Sequence, residues 1–300
     1  LTLLGEIYYE IRQYREAEKL VKKALEIDPT NPGALIELGG IYNDLRRYRE
    51  AEKYHKKAVE LQPEDVDALA DAHLYLGEDY VGQRKYQEAE KEYKIALKLR
   101  PDDYCVHYEL GVLYTLTGNY SLAEKMFRRS AKLRPNYPDA YHGLGDLYFK
   151  LGRYKKAEEQ YKKAITARPE SYGDGYIALG KLYLKTARTR EAKSAFEKAI
   201  EENPYLGEAY ISLADFYLSE KNLEKAEKYY QKALQVNPQS PLVYEAFSAF
   251  MIKKGKYQKA LEMVEKGIPS SNPAEAAATE FSTLCIPARL SSISPSLFSP

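Results

Sequence analysis

Seven prolines punctuate this chain: Pro29, Pro63, Pro101, Pro135, Pro169, Pro204 and Pro238. They stand 34, 38, 34, 34, 35 and 34 residues apart. Each closes the same frame, G-x-x-Y, then A, then K-A, then P, as in GDLYFKLGRYKKAEEQYKKAITARP from Gly145 to Pro169. Self-similarity at a period of about 20–50 residues marks one small structural unit, copied and stacked on itself. This constrains the fold more tightly than length does, since 300 residues would otherwise suggest about two globular domains.

Each unit reads as two helices. In the fifth, Tyr141, Leu144, Gly145 and Tyr148 recur at offsets of 3, 4 and 7, which puts them on one helical face. Gly152 and Arg153 interrupt the pattern, and Ala157, Tyr161 and Ala164 form a second stripe. A proline then stops the second helix, because it lacks an N–H and clashes with the turn before it. Asn31-Pro32 and Ser240-Pro241 read as helix starts, a capping side chain before a proline at the first helical position. Gly39 and Ala51, Gly77 and Ala89, Gly111 and Ala123, Gly145 and Ala157, and Gly180 and Ala192 recur twelve residues apart, and Ala214 with Ala226 keeps the spacing. Glycine inside a helix costs up to about 1 kcal/mol. Its return at one place suggests a steric need, here expected to be close approach of two backbones.

The pattern L-G-x-x-Y, then A, then F/Y-x-x-A, then P, at 34 residues, resembles the tetratricopeptide repeat. The resemblance covers residues 1–267, in units near 1–31, 32–69, 70–103, 104–137, 138–172, 173–206, 207–240 and 241–267. It implies an all-α fold of tandem helix-turn-helix repeats stacked in a right-handed superhelical solenoid, first helices inside and second helices on the convex wall. The last unit has Phe247-Ser248 for Leu-Gly and Met251 for Tyr, as a terminal cap would. Four extra residues near Glu64–Asp67 predict a longer loop or an extra helical turn in the third unit. The chain opens inside a repeat, which suggests a piece of a longer protein. Residues 268–300, rich in Ser and Pro with no Lys or Tyr, read as a disordered or weakly helical tail.

Within the repeats the lysines look like a basic patch at first sight. Lys155, Lys156, Lys162 and Lys163 surround the stripe of Ala157, Tyr161 and Ala164, and Lys22, Lys23, Lys56 and Lys57 sit at equivalent places. A helix commonly carries charge opposite its apolar stripe, so these are expected to be a solvated outer face. The 45 basic and 44 acidic residues leave a net charge of +1, without the basic excess of a nucleic-acid-binding domain. No apolar run of about 18 residues is present to span a membrane.

Chemistry is sparse. GYIALGKL, Gly175–Leu182, imitates a phosphate-binding loop but ends in Leu182 and lies where a helix is expected. The histidines, His55, His73, His107 and His142, form no H-E-x-x-H; His73 and His107 occupy one position in successive units and read as packing residues, with a metal or pH-sensing pair as the alternative. Cys105 and Cys285 form neither a disulfide framework nor a zinc spacing. No cofactor, metal or catalytic set is expected, and the cysteine usage fits a reducing, cytoplasmic location.

What the resemblance implies for binding lies on the first helices. The inner positions carry Glu37, Asp44, Asp71, Tyr75, Glu78, Tyr108, Glu109, Asp139, His142, Asp146, Asp174, Lys181, Glu208 and Asp215. An acidic groove disfavours phosphate backbones and favours a protein or peptide segment with Lys or Arg. The family's carboxylate clamp for chaperone tails and its asparagine ladder are both missing. The expected function is a non-catalytic protein–protein interaction scaffold. The alternative is the partner-recruiting arm of a larger enzyme. Self-association through the array ends is a further expectation.

Overall fold

The computed structural model describes residues 1–167 and 173–267. Among them the chain forms sixteen α-helices and no strand, taken up in eight consecutive pairs. The pairs are α1 (Thr2–Glu10) with α2 (Tyr14–Ile27), α3 (Pro32–Asp44) with α4 (Tyr48–Glu60), and α5 (Val66–Gly82) with α6 (Tyr86–Leu99). Next come α7 (Tyr104–Leu116) with α8 (Tyr120–Leu133), α9 (Pro138–Lys150) with α10 (Tyr154–Ala167), and α11 (Gly173–Lys185) with α12 (Thr189–Glu202). The last are α13 (Gly207–Ser219) with α14 (Leu223–Val236) and α15 (Pro241–Lys253) with α16 (Tyr257–Gly267). Most of these helices are 13 or 14 residues long, which is marginal in isolation. Their stability comes from stacking, unit upon unit, into an all-α superhelix.

The inner wall is identified by contact. Odd-numbered helices of successive units pack directly on one another, as α3 does on α5 and α7 on α9, while even-numbered helices are held apart. The superhelix therefore curves with its first helices inside.

The recurring glycine has a different role from the one expected. A Cβ on Gly77 would run into the ring of Tyr93, and Gly111, Gly145 and Gly180 face Phe127, Tyr161 and Phe196 in the same way. The partner is sixteen residues on, in the second helix, so the missing side chain seats a ring. Phe127 fills two such sites, since Gly143 of the next unit also abuts it. Tyr93, Phe127, Tyr161 and Phe196 are all buried. The ring accounts for the frame's packing better than backbone approach does, because it supplies the large apolar area that two small residues cannot.

The joint between the second and third units departs from this scheme on both sides at once. His55 stands at the ring position, over Gly39, and Asp79 of α5 stands where the other units carry Ile41, Leu113, Leu147, Leu182, Phe216 and Phe250. The two meet: His55 Nδ1 lies 2.5 Å from Asp79 Oδ2, with both side chains fully buried. His55 Nε2 faces the Ile36 carbonyl oxygen at 3.1 Å, and Asn43 donates to the other Asp79 oxygen at 2.7 Å. A polar bridge thus replaces a ring-on-aliphatic contact between the second and third units.

All eight turns within the pairs put one residue in the left-handed region. It is glycine in three, Gly118, Gly152 and Gly255, and Arg12, Arg46, Arg84, Ala187 or Lys221 in the others. The four extra residues become helix: α5 has 17 residues, and Asp65 caps its start by accepting from the Asp67 and Ala68 amides. α5 begins four residues before the unit boundary expected at 70. Asn31 caps α3 through the Ala34 amide at 2.9 Å, as its sequence suggests. Ser240 precedes α15 without a side-chain cap bond. The stop at Pro169 and the tail, 268–300, lie outside the described residues.

The convex wall is a ladder of paired charges. Lys22, Lys56, Lys162 and Lys163 each bond a glutamate one turn back, at 2.5–2.7 Å. Lys156 lies over the Tyr148 ring. Tyr42, Tyr114, Tyr148 and Tyr183 donate to Glu18, Glu90, Glu124 and Glu158 of the preceding unit, at 2.7–3.0 Å. These lysines are engaged with neighbouring acids and rings. At the ends, α1 exposes Leu3, Leu4 and Ile7, and α16 exposes Tyr257, Leu261 and Val264. No helix among the described residues is long and apolar enough to cross a membrane.

Candidate functional site

The inner helices carry the groove. A helix presents residues three and four apart on one face, so stacked first helices lay their inner side chains in rows along the superhelix. The acids on these rows differ in what surrounds them, and that difference divides the groove.

Toward the C-terminal half the charges are met. Lys181 reaches Glu208 of the next first helix at 2.7 Å. Tyr161 donates to Asp146 at 2.7 Å, and Tyr230 donates to Asp215. Tyr161 is a seated ring described above, and Tyr230 holds the same place sixteen residues after Ala214, each bonding the residue that follows its glycine or alanine. His142 packs edge-on against Tyr161 and has Nε2 3.6 Å from Asp146. Asp174 is half-buried, and burial raises its pKa, with the nearby His142 opposing the rise.

In the N-terminal half, Asp71 is buried against the Arg100 guanidinium at 2.5 Å, and Asp103 shares that guanidinium at 2.7 Å. It belongs to the interior of the α5–α6–α7 corner. A cleft of about 460 Å³ opens beside that corner, lined by Leu74, Arg100, Asp103, Tyr104 and Cys105 among others. Glu37 sets its carboxylate against Gly5 of α1. Asp44 accepts from the Tyr14 hydroxyl at 3.2 Å, and burial raises its pKa.

Between these lie Glu78 of α5 and Glu109 of α7. Glu78 is 8% exposed, and neither carboxylate oxygen has a hydrogen-bond partner. Burial pushes its pKa well above the usual carboxylate range, and the charges of Glu109, Asp79, Cys105 and Asp44 add to the rise. Glu109 is half-buried, and its pKa is pushed up to about 8 by burial and then by Asp139 of α9. An unpaired carboxylate loses its hydration on burial and becomes neutral instead of charged. Aromatic surface adjoins the pair. Tyr75, one turn before Glu78, stacks on His55 with centroids 5.6 Å apart. Tyr108, next to Glu109, lies against Phe127 and Tyr137.

Other candidates have local roles. His73 Nδ1 lies 2.6 Å from Glu92, and His107 Nε2 lies 3.1 Å from the Pro101 carbonyl oxygen, so each histidine has its own partner. Burial lowers the His107 pKa. Among the described residues no group of three His, Cys, Asp or Glu side chains could hold a metal ion. GYIALGKL lies in α11, where the backbone N–H groups are engaged in the helix. Sequence reasoning found the inner rows but missed Asp79 and Arg100. The signal for Asp79 was an acid at an otherwise apolar frame position.

Comparison with known proteins agrees with this architecture. Models described as tetratricopeptide repeat match residues 8–74, 70–103, 102–170, 140–201, 177–241 and 217–279. No curated protein sequence matches the chain. Among solved structures it is similar to yeast Tom70, with a TM-score of 0.69 at 17% identity, over 87% of this chain and 56% of that one. It is also similar to the APC/C hetero-tetramer Cut9–Hcn1, with a TM-score of 0.62 at 16% identity, over 89% of this chain and 49% of that one. A third, a repeat protein from Parabacteroides merdae, has a TM-score of 0.63 at 20% identity, over 83% and 97% of the two chains. The chain spans about half the length of the first two, and likeness at these identities concerns the fold.

Proposed function

The chain belongs to the tetratricopeptide repeat family, and from that premise we propose that it is a non-catalytic scaffold whose concave groove binds a Lys- or Arg-containing segment of a partner protein. Repeats of this family generally mediate protein–protein interaction. One similar structure is of a protein hetero-tetramer.

The observation that carries the finer reading is the concentration of carboxyls facing other acids along α5, α7 and α9, beside a convex wall whose lysines are engaged with neighbouring glutamates and rings. Complementary charge steers encounter and fixes register, while aromatic residues such as Tyr75 and Tyr108 supply contact area. Phosphate backbones are disfavoured partners, because they would bring more negative charge to the same rows.

The test is selection of displayed peptides on the 300-residue chain, repeated on a variant carrying Glu109→Lys, Asp139→Lys, Asp146→Lys and Asp215→Lys. Circular dichroism confirms that both are helical. Enrichment of Lys- or Arg-bearing sequences on the native chain, lost on the variant, is the expected result. Peptides without basic residues, or the same peptides bound by both chains, would overturn the acidic-groove reading.

A further inference from the structure

We propose that Glu78 and Glu109 together form the receptor for a single arginine side chain of the partner, offered by an extended segment lying in the groove. This rests on the groove reading above and adds a place and a chemistry to it.

The first observation is a buried carboxyl. Several acids of this chain have found donors: Asp71 has Arg100, Asp79 has His55 and Asn43, and Asp44 has Tyr14 at one oxygen. Glu78 is 8% exposed, and its two oxygens have none. Buried polar groups are paired in the great majority of cases, and an orphan at a surface groove marks a place for a missing partner. Glu109 is half-buried and its charge acts on Glu78, so the two carboxyls form one acidic pair of which Glu109 is the more accessible member.

The second observation is what faces the pair. From α7 come Glu109 and Cys105, from α5 itself Asp79, and from α3 Asp44. Asp139 of α9 faces Glu109 from the other side. His55 of α4 stands near, but its ring nitrogens are turned to Asp79 and the Ile36 carbonyl oxygen. The charged groups that act on the pair are all acidic, and the Tyr93 ring sits over the neighbouring Gly77; a guanidinium brings the positive charge that none of them supplies. It carries five N–H donors in a plane, enough to serve two carboxylates at once, and it stays charged when desolvated. A lysine ammonium has three donors and holds its water more tightly. Tyr75 and Tyr108 flank the pair with the aromatic surface on which a guanidinium stacks.

The exchange balances simply. In the free chain a carboxyl O–H of the pair holds a proton. When the guanidinium enters, that O–H breaks, the proton passes to buffer, and the carboxylate takes N–H donors in its place. Binding therefore strengthens as pH rises.

The probe is N-acetyl-arginine amide, with N-acetyl-lysine amide beside it. Side-chain carboxyl carbons of the full chain are followed by NMR, with Glu78→Gln and Glu109→Gln to assign the two signals. The expected result is movement of both signals with the arginine probe, about tenfold or more tighter at pH 8.5 than at pH 6.5, and weaker movement with the lysine probe. Equal movement of the exposed Asp146 and Asp215 signals, an affinity that is flat with pH, or no selective movement at any pH overturns the receptor. Glutamine matches the shape of a protonated glutamate, so Glu78→Gln is expected to keep the fold, and Glu78→Asp, which keeps a carboxyl, serves should it not. A library-selected peptide bound equally by the native chain and Glu78→Gln overturns this receptor and leaves the groove reading standing.

Discussion

At the scale of the residue, position in the repeat decides what a side chain costs. Gly145→Ala would drive a methyl into the Tyr161 ring. We expect it to destabilise the fold by about 1–3 kcal/mol. Gly33→Ala meets only Asn31 Oδ1, at ordinary contact distance. It should stabilise by about 0.5–1 kcal/mol through helix propensity and a less flexible unfolded chain. Urea melts of the two variants check the contrast. Glu109 makes a prediction in pH. Its folded pKa, about 8, is raised above that of the unfolded chain, so between pH 5 and 8 the folded state holds the extra proton. Stability contributed by that proton is complete below the unfolded value and is lost as pH rises through about 8. Glu109→Gln should therefore raise the melting temperature at pH 8.5, by roughly 1–2 kcal/mol of stability once its partial exposure is allowed for, and change little at pH 4. An equal effect at both pH values would contradict the assignment. The glycine frame was legible in the sequence, but its reason was not. Periodicity locates a small residue without naming the ring, sixteen residues on, that needs the space.

At the scale of the element, the turns are a uniform device built with unequal residues. Ala187 adopts φ 59° where three other units use glycine. Ala187→Gly should stabilise by about 0.5–1 kcal/mol, since the left-handed region costs alanine more than it costs glycine. Thermal unfolding measures it. The lengthened α5 adds Asp67 to an Arg100 guanidinium that already serves Asp71 and Asp103. Arg100→Ala would strip the buried Asp71 of this cation, and we expect a loss of about 2–4 kcal/mol. A loss below measurement error would show that the corner is held by apolar packing alone. The four extra residues were legible as an insertion. Their helical state turned on Asp65, whose cap lies outside the repeat frame, so counting the frame alone left loop and helix equally open. The pairing of Asp146 with Tyr161, and of Asp215 with Tyr230, was hidden for a similar reason. It joins two helices of one unit across fifteen residues, beyond the reach of one-helix periodicity.

At the scale of the molecule, a stack of near-identical units has no single centre, and its stability is a sum over neighbours. Native-state hydrogen exchange should be slowest in the middle helices and fastest in α1 and α16, whose outer faces lack a neighbour among the described units. Uniform protection along the chain would contradict this. The net charge of +1 hides a separation that emerges only in three dimensions, with matched charges outside and crowded acids inside. The sequence made the rows visible, but only packing distinguishes an acid met by tyrosine from one met by another acid. Sameness also carries a hazard for a growing chain: a second helix could dock one unit too far along and still find a glycine waiting for its ring. The histidine–aspartate bridge removes that ambiguity at one joint. Slipped by a unit, His55 would lie over leucine with no acid to receive it, and Asp79 would be sealed against Val21 or Tyr93 according to the direction of the slip. The bridge would thus act as an indexing key for the register of the second unit on the third.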